Sequence, residues 1–110
     1  MNLLGRTFEN KHHIVFYPPE DGGNLREEGD YKKWKKHGSR IYWYGNKQKQ
    51  REGSYKNGKR EGLWIGWDEK GNKKMELNYK DGKQDGVWTF WDEKGNVIDT
   101  QTYKVGELVK

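Results

Sequence analysis

The chain repeats itself at a fixed distance of 24 residues. Leu63-Trp64-Ile65-Gly66-Trp67 leads into Asp68-Glu69-Lys70-Gly71-Asn72, and Val87-Trp88-Thr89-Phe90-Trp91 leads into Asp92-Glu93-Lys94-Gly95-Asn96. Self-similarity at such a period means a repeat architecture, in which each unit buries its apolar side only against its neighbours. Carried backwards, the frame gives windows 15–38, 39–62, 63–86 and 87–110. Tyr recurs at 31, 55, 79 and 103, and Trp at 43, 67 and 91. Gly closes the first three windows at 38, 62 and 86. The first window has Pro19 in place of the recurring Trp, and Trp34 where the others have Gly58, Gly82 and Gly106. The second has Lys47 where the others have Gly23, Gly71 and Gly95.

Each window reads as a β-hairpin. Trp64–Trp67 is a short aromatic run of strand type. Asp68–Asn72 is a turn, with Gly71 placed to take positive φ, and Lys73–Tyr79 is the return strand. Asn57-Gly58 and Asp81-Gly82 are tight hairpin turns, because both central positions of such turns need positive φ. No stretch has a helical apolar period. The expected fold is all-β: a meander of antiparallel hairpins forming an elongated, curved, single-layer sheet. Side chains alternate along a strand, so Trp64 and Trp67 should point to opposite faces, as should Trp88 and Trp91. Residues 1–14 precede the first window. Phe8-Glu9-Asn10-Lys11 is a shortened version of Tyr55–Lys59, so this segment reads as a degenerate half repeat that caps the array. Pro18 and Pro19 cannot donate ladder hydrogen bonds and are expected at a sheet edge.

Composition matters at one point. Only 18 of the 110 residues are Leu, Ile, Val or Phe, a level usual for disordered chains. The net charge is only +5, however, and six Trp with seven Tyr supply rings for a thin, aromatic core spread along the chain;. With no Cys, a disulfide framework and thiolate metal sites are excluded;. Met1–Arg6 lacks the apolar run of a secretion signal, and no stretch is long enough to span a membrane, so a cytoplasmic protein is expected.

Tyr55-Lys56-Asn57-Gly58-Lys59-Arg60-Glu61-Gly62-Leu63-Trp64 and Tyr79-Lys80-Asp81-Gly82-Lys83-Gln84-Asp85-Gly86-Val87-Trp88, with the acidic turns at 68–72 and 92–96, resemble MORN-type repeats, specifically the bacterial MORN-variant class. The resemblance covers about 39–106 well and 15–38 poorly. It implies hairpins laid side by side in a curved single-layer sheet, and a role as an interaction module. Some bacterial members of the class are antitoxins of toxin–antitoxin pairs. Some eukaryotic proteins with the related motif associate with membranes or phosphoinositides, or dimerise. Trp34, Arg40 and Lys47 depart from the pattern, where other windows have Gly, Trp and Gly.

The residues offer no catalytic constellation. His12 and His13 adjoin and would face opposite ways on a strand. Neither Ser39 nor Ser54 lies in a nucleophile motif, and there is no phosphate-binding loop of the GxxxxGK[ST] type. The carboxylates fall in turns, where they serve turn geometry. No cofactor, metal or catalytic residue is expected. One stretch stands out instead: residues 31–60 hold eleven basic residues against a single acid, Glu52. The candidate contact set is Lys32, Lys33, Trp34, Lys35, Lys36, Arg40, Trp43, Tyr44 and Arg51. Interleaved cations and rings suit an acidic protein surface, a nucleic acid or anionic lipid. The expected function is a non-catalytic module that binds another protein, as an antitoxin or adaptor, with homodimerisation through a terminal edge strand as a further option. The alternative is a binder of polyanions or membrane surfaces through stretch 31–60.

Overall fold

The computed structural model describes residues 10–110. It is one open sheet of ten antiparallel strands. In chain order these are β1 (Asn10–Phe16), β2 (Leu25–Lys32), β3 (Lys35–Trp43), β4 (Lys49–Lys56), β5 (Lys59–Trp67), β6 (Lys73–Lys80), β7 (Lys83–Gln84), β8 (Gly86–Trp91), β9 (Val97–Lys104) and β10 (Glu107–Leu108). Spatial order follows sequence order, with β7 and β8 both pairing β6. The molecule measures 54 × 38 × 14 Å. The 14 Å dimension is one sheet with side chains on both sides, so no second layer covers either face;. The only helical element among the described residues is a single 3-10 turn, Pro19–Asp21.

Two kinds of turn alternate and line the two long sides of the sheet. On one side lie four tight tips: Lys33-Trp34, Asn57-Gly58, Asp81-Gly82 and Val105-Gly106, all with positive φ at both positions. The Asn-Gly and Asp-Gly pairs meet that demand as expected. The first tip meets it without glycine, with Lys33 at φ 50° and Trp34 at φ 70°. A bulky residue held there stores strain on the order of 1–3 kcal/mol. On the other side, the Asp68 carboxylate accepts the backbone N–H groups of Lys70 and Asn72, both at 2.9 Å. Asp92 repeats this with Lys94 and Asn96. Tyr44–Gln48 repeats the backbone bonds of these loops but has a single side-chain acceptor, Asn46 Oδ1 for the Gln48 N–H, and Lys47 takes φ 76° at the place of Gly71.

Each repeat also carries a β-bulge just before its aromatic strand end, at Val15/Phe16, Tyr42/Trp43, Gly66/Trp67 and Phe90/Trp91. The extra residue sits on the return strand. It puts Lys49 on the same face as Glu52 and Lys73 on the same face as Glu76, where they pair at 3.3 and 2.7 Å.

The two faces differ. The aromatic face carries Tyr31, Tyr55, Tyr79 and Tyr103, with Trp64 and Trp88 between them. Trp64 is 3% exposed. Its indole N–H donates to the Ser54 carbonyl at 3.1 Å, and its ring meets Tyr55 edge-on at 5.1 Å. Trp88 does the same with the Asn78 carbonyl and stands between Tyr79 and Tyr103. The opposite, ladder face carries Trp43, Trp67 and Trp91. It also carries an unbroken cross-strand row, Ile14-Glu28-Ile41-Glu52-Ile65-Glu76-Thr89-Thr100. Trp64 and Trp67 therefore do lie on opposite faces.

The first hairpin departs from the frame of equal windows. β1 runs Asn10–Phe16, across the boundary drawn at 14/15, and residues 10–14 form the start of an edge strand. The rest of the proposed cap, residues 1–9, lies outside the described residues. The loop from β1 to β2 spans 17–24, three residues longer than 44–48. Pairing places Phe16, not Pro19, at the position of Trp43. Tyr17 confirms the shift: its hydroxyl donates to the Trp43 carbonyl at 2.7 Å, as that of Tyr44 does to Trp67 at 2.8 Å. Pro18 and Pro19 belong to this longer loop rather than to a strand at the sheet edge.

Candidate functional site

The nine candidate residues do not form one surface. Lys32, Lys33, Trp34 and Lys35 make the first hairpin tip and are exposed. Lys36 and Arg51 lie on the aromatic face, with Lys36 Nζ 5.2 Å from the centre of the Tyr55 ring and the Arg51 guanidinium 4.3 Å from that of Tyr42. Trp43 and Tyr44 are half-buried at the far end of the hairpin, Trp43 on the ladder face.

Arg40 corrects the expectation of a charge offered to a partner. It is the most buried side chain in the described protein, 1% exposed. It occupies the place that Trp64 has one repeat later, laid across Gly29 as Trp64 is laid across Gly53. Its charge is spent internally. Nε and Nη2 donate to Glu27 Oε2 at 3.0 and 2.6 Å, and Nη2 donates to His13 Nδ1 at 3.0 Å. The Tyr31 ring covers it at 5.2 Å. A cation at a Trp position stays folded in because the neighbouring rows supply a carboxylate, an imidazole and a ring.

The structure adds residues that the candidate contact set left out. Arg60 donates from Nη1 to the Tyr79 hydroxyl at 2.9 Å and stacks on both Tyr79 and Trp64. Arg26 stacks on Tyr17 at 5.8 Å. On the aromatic face, Tyr31 faces Lys36, Tyr55 faces Arg60 and Tyr79 faces Gln84 in direct register. The signal was present as the 24-residue recurrence of Tyr, with a cation five residues on after Tyr31 and Tyr55. An open cleft of about 420 Å³ lies beside this row, lined in part by Arg26, Lys36, Tyr42 and Arg51.

The sequence pattern of the MORN repeat variant family matches residues 36–57, 60–81 and 84–104. These spans are the last three hairpins, and together they cover more than half of the chain. The chain belongs to the MORN repeat variant family. No curated protein and no solved structure matches it. MORN repeats are in general non-catalytic modules that bind proteins or membranes. Here the MORN hairpins supply the Trp64 and Trp88 core, whereas the unmatched β1–β2 hairpin supplies His13, Glu27 and the Tyr31 lid of Arg40.

Three groups that titrate between acid and neutral pH, His12, Asp68 and Asp92, have displaced acid–base behaviour. Both ring nitrogens of His12 meet carboxylates, Asp30 at 2.7 Å and Glu28 at 2.8 Å. Ionised carboxylates only accept, so the ring must donate twice and is the imidazolium. Asp30 first, then Glu28, raises its pKa above the ordinary histidine value. Asp68 and Asp92 are held below the usual carboxylate range, chiefly by the backbone N–H groups of Asn72 and Asn96. The signs are opposite. The His12 contribution to stability is complete below about pH 6.5 and is lost as pH rises through the raised folded value. The Asp68 and Asp92 contributions are complete above about pH 4 and are lost as pH falls through the depressed folded values. Urea midpoints should therefore be highest between about pH 4 and 6.5 as far as these groups decide it. In an NMR titration His12 should protonate above the ordinary histidine value. A His12 midpoint at or below that value would rule out the double ion pair. Among the described residues no group of three or more His, Cys, Asp or Glu is placed to hold a metal, and His12 and His13 do face opposite ways.

Proposed function

We propose that this chain is a cytoplasmic, non-catalytic interaction module that docks an acidic protein partner on its aromatic face, acting as an antitoxin or adaptor. The observation that supports it most is the row of tyrosines and cations running across the strands with no second layer above it. Tyr, Trp and Arg are the residues that dominate the energy of protein interfaces. Their side chains are already ordered here by stacking, so less rotamer entropy is lost on docking. Arg26, Lys36, Arg51 and Arg60 leave this face positive, because Glu27 is consumed by Arg40.

The experiment is a pull-down from the source cell at low and high salt, with wild type beside Tyr42→Ala and Arg51→Glu. One stoichiometric protein that survives high salt, with at least tenfold weaker capture by both variants, is expected. Equal capture by the variants would move the site off this face. Turnover of a substrate by the purified chain would refute the non-catalytic reading.

A further inference from the structure

The β-bulges re-aim side chains as well as bending the strands. Their extra residues, Arg26, Gln50, Lys74 and Ile98, recur at the 24-residue interval, one on each return strand. The first three line two clefts on the aromatic face. One is the cleft of about 420 Å³ beside Arg26, Lys36, Tyr42 and Arg51, which Tyr17 also lines. The other, of about 320 Å³, is lined by Tyr44, Gln50, Arg51, Gly66, Lys74 and Met75. It is the first cleft moved on by one repeat. Tyr44 stands in the place of Tyr17, Gln50 of Arg26, and Lys74 of Gln50, while Gly66 replaces Tyr42 and Met75 replaces Arg51. Gln50 and Arg51 belong to both clefts, so these are adjoining chambers of one groove that crosses β2, β4 and β6. Two strand spacings separate them, about 9.6 Å. The Tyr17 and Tyr44 hydroxyls are spent on the Trp43 and Trp67 carbonyls, which fixes both rings as walls.

The two chambers differ in chemistry. The first gathers Arg26, Lys36 and Arg51, and no ion pair among the described residues uses them. Its one acid, Glu27, is neutralised by Arg40. The second has an apolar floor of buried Gly66 and half-buried Met75, with exposed Lys74 at its rim. We infer that this groove takes a polyproline II segment of the partner, with an acidic residue in the first chamber and an apolar residue three positions away in the second. The inference rests on the aromatic face being the docking face. Its ground is the spacing. A polyproline II helix has three residues per turn at 3.1 Å each, so residues three apart return to one side after about 9.3 Å. A β-strand returns to one side after about 6.8 Å, out of step with the chambers. Walls of tyrosine suit such a segment, which is ordered before it binds and loses little entropy on docking. Its carbonyls have no partner within the helix, and the Gln50 amide between the chambers can donate to one.

The test is fluorescence anisotropy with labelled synthetic peptides and the full chain. The probe is Pro-Pro-Glu-Pro-Pro-Leu-Pro-Pro, made also with Glu and Leu exchanged. One of the two orders should bind. Placing one or three prolines between Glu and Leu should weaken it by about fivefold or more, and so should alanine in place of every proline, which removes the preformed helix. Arg51→Glu should weaken binding by about tenfold. Gly66→Tyr with Met75→Arg rebuilds the first chamber in the place of the second. That variant should come to prefer a peptide with Glu at both positions, and a gained preference cannot arise from loss of fold. Binding that ignores the spacing, or alanine peptides that bind as tightly, would overturn the inference. If no peptide binds while the partner from the pull-down still depends on Arg51, the polyproline II inference falls and the docking face stands. If that partner also ignores Arg51→Glu, both fall.

Discussion

Replacing Gly53 by alanine should cost about as much as removing the Trp64 side chain, on the order of 3–5 kcal/mol. The reason is a close approach rather than a turn. Trp64 lies across the Gly53 backbone, and a Cβ built at 53 falls 2.1 Å from the nearest indole atom. The ring has nowhere to retreat. Tyr55 meets it edge-on at 5.1 Å, the Arg60 guanidinium lies 5.3 Å from its centre, and its N–H is tied to Ser54. An added methyl must therefore expel the one apolar side chain that is fully buried among the described residues. In Trp64→Ala the obstacle is gone. There Gly53→Ala should be neutral or mildly stabilising, because glycine in a strand carries an entropic penalty of about 0.5–1 kcal/mol relative to alanine. Urea unfolding of the two single variants and the double variant gives the coupling, expected to equal about the whole cost of Gly53→Ala, on the order of 3–5 kcal/mol. Simple additivity would show that Trp64 and position 53 do not share that space. Such losses are large against the roughly 5–15 kcal/mol stability of an ordinary domain, and more so for a sheet with no second layer.

What could be read from the residues, and what could not, follows from this packing. The repeat spacing carried the hairpins, the positive-φ tips at Asn57-Gly58 and Asp81-Gly82, and the division of Trp64 from Trp67. These are local matters of period and turn chemistry. The aromatic face was not assignable, because Trp occurs on both faces and the alternation only separates them. The deciding feature is Gly53, which opens a hollow on one side alone, and a glycine in a strand has several readings. The first window failed because a fixed period cannot register an insertion. Three extra residues in the loop 17–24 moved Phe16 and Tyr17 into the places of Trp43 and Tyr44. The contact set was misgrouped for a related reason. Local charge density in 31–60 joined side chains that the pleat sends to different faces, and it missed Lys80, Lys83 and Lys104, which join the same edge only once the hairpins are stacked. Arg40 is the sharpest case. In sequence it is one basic residue among eleven; in the sheet it is a substitute for tryptophan.

That substitution makes the second large prediction. Arg40→Ala should destabilise the protein by about 3 kcal/mol, the lower end of the range for breaking a buried ion pair, because Glu27 keeps 19% exposure and can recover some hydration;. Arg40→Trp together with Glu27→Met installs the pair that stands at the same places two repeats later, Trp88 and Met75. It should be neutral or more stable by up to about 2 kcal/mol, since a well-packed apolar replacement removes two desolvation costs and the unpaired Nη1 of Arg40;. If stability were the only selected property, tryptophan would then be the better residue. The geometry suggests what arginine supplies instead. Nη2 bridges Glu27 on β2 to His13 on β1, and the Tyr31 ring meets His13 edge-on at 5.3 Å while it also covers the guanidinium. This ties an edge strand to its neighbour by directional bonds, which a tryptophan ring would not do. The Arg40→Trp, Glu27→Met variant should therefore lose amide-exchange protection at β1 while its urea midpoint holds or rises. If β1 stays as protected as in wild type, the cluster does not set the register of the edge strand, and the buried cation is left as a cost without a structural return.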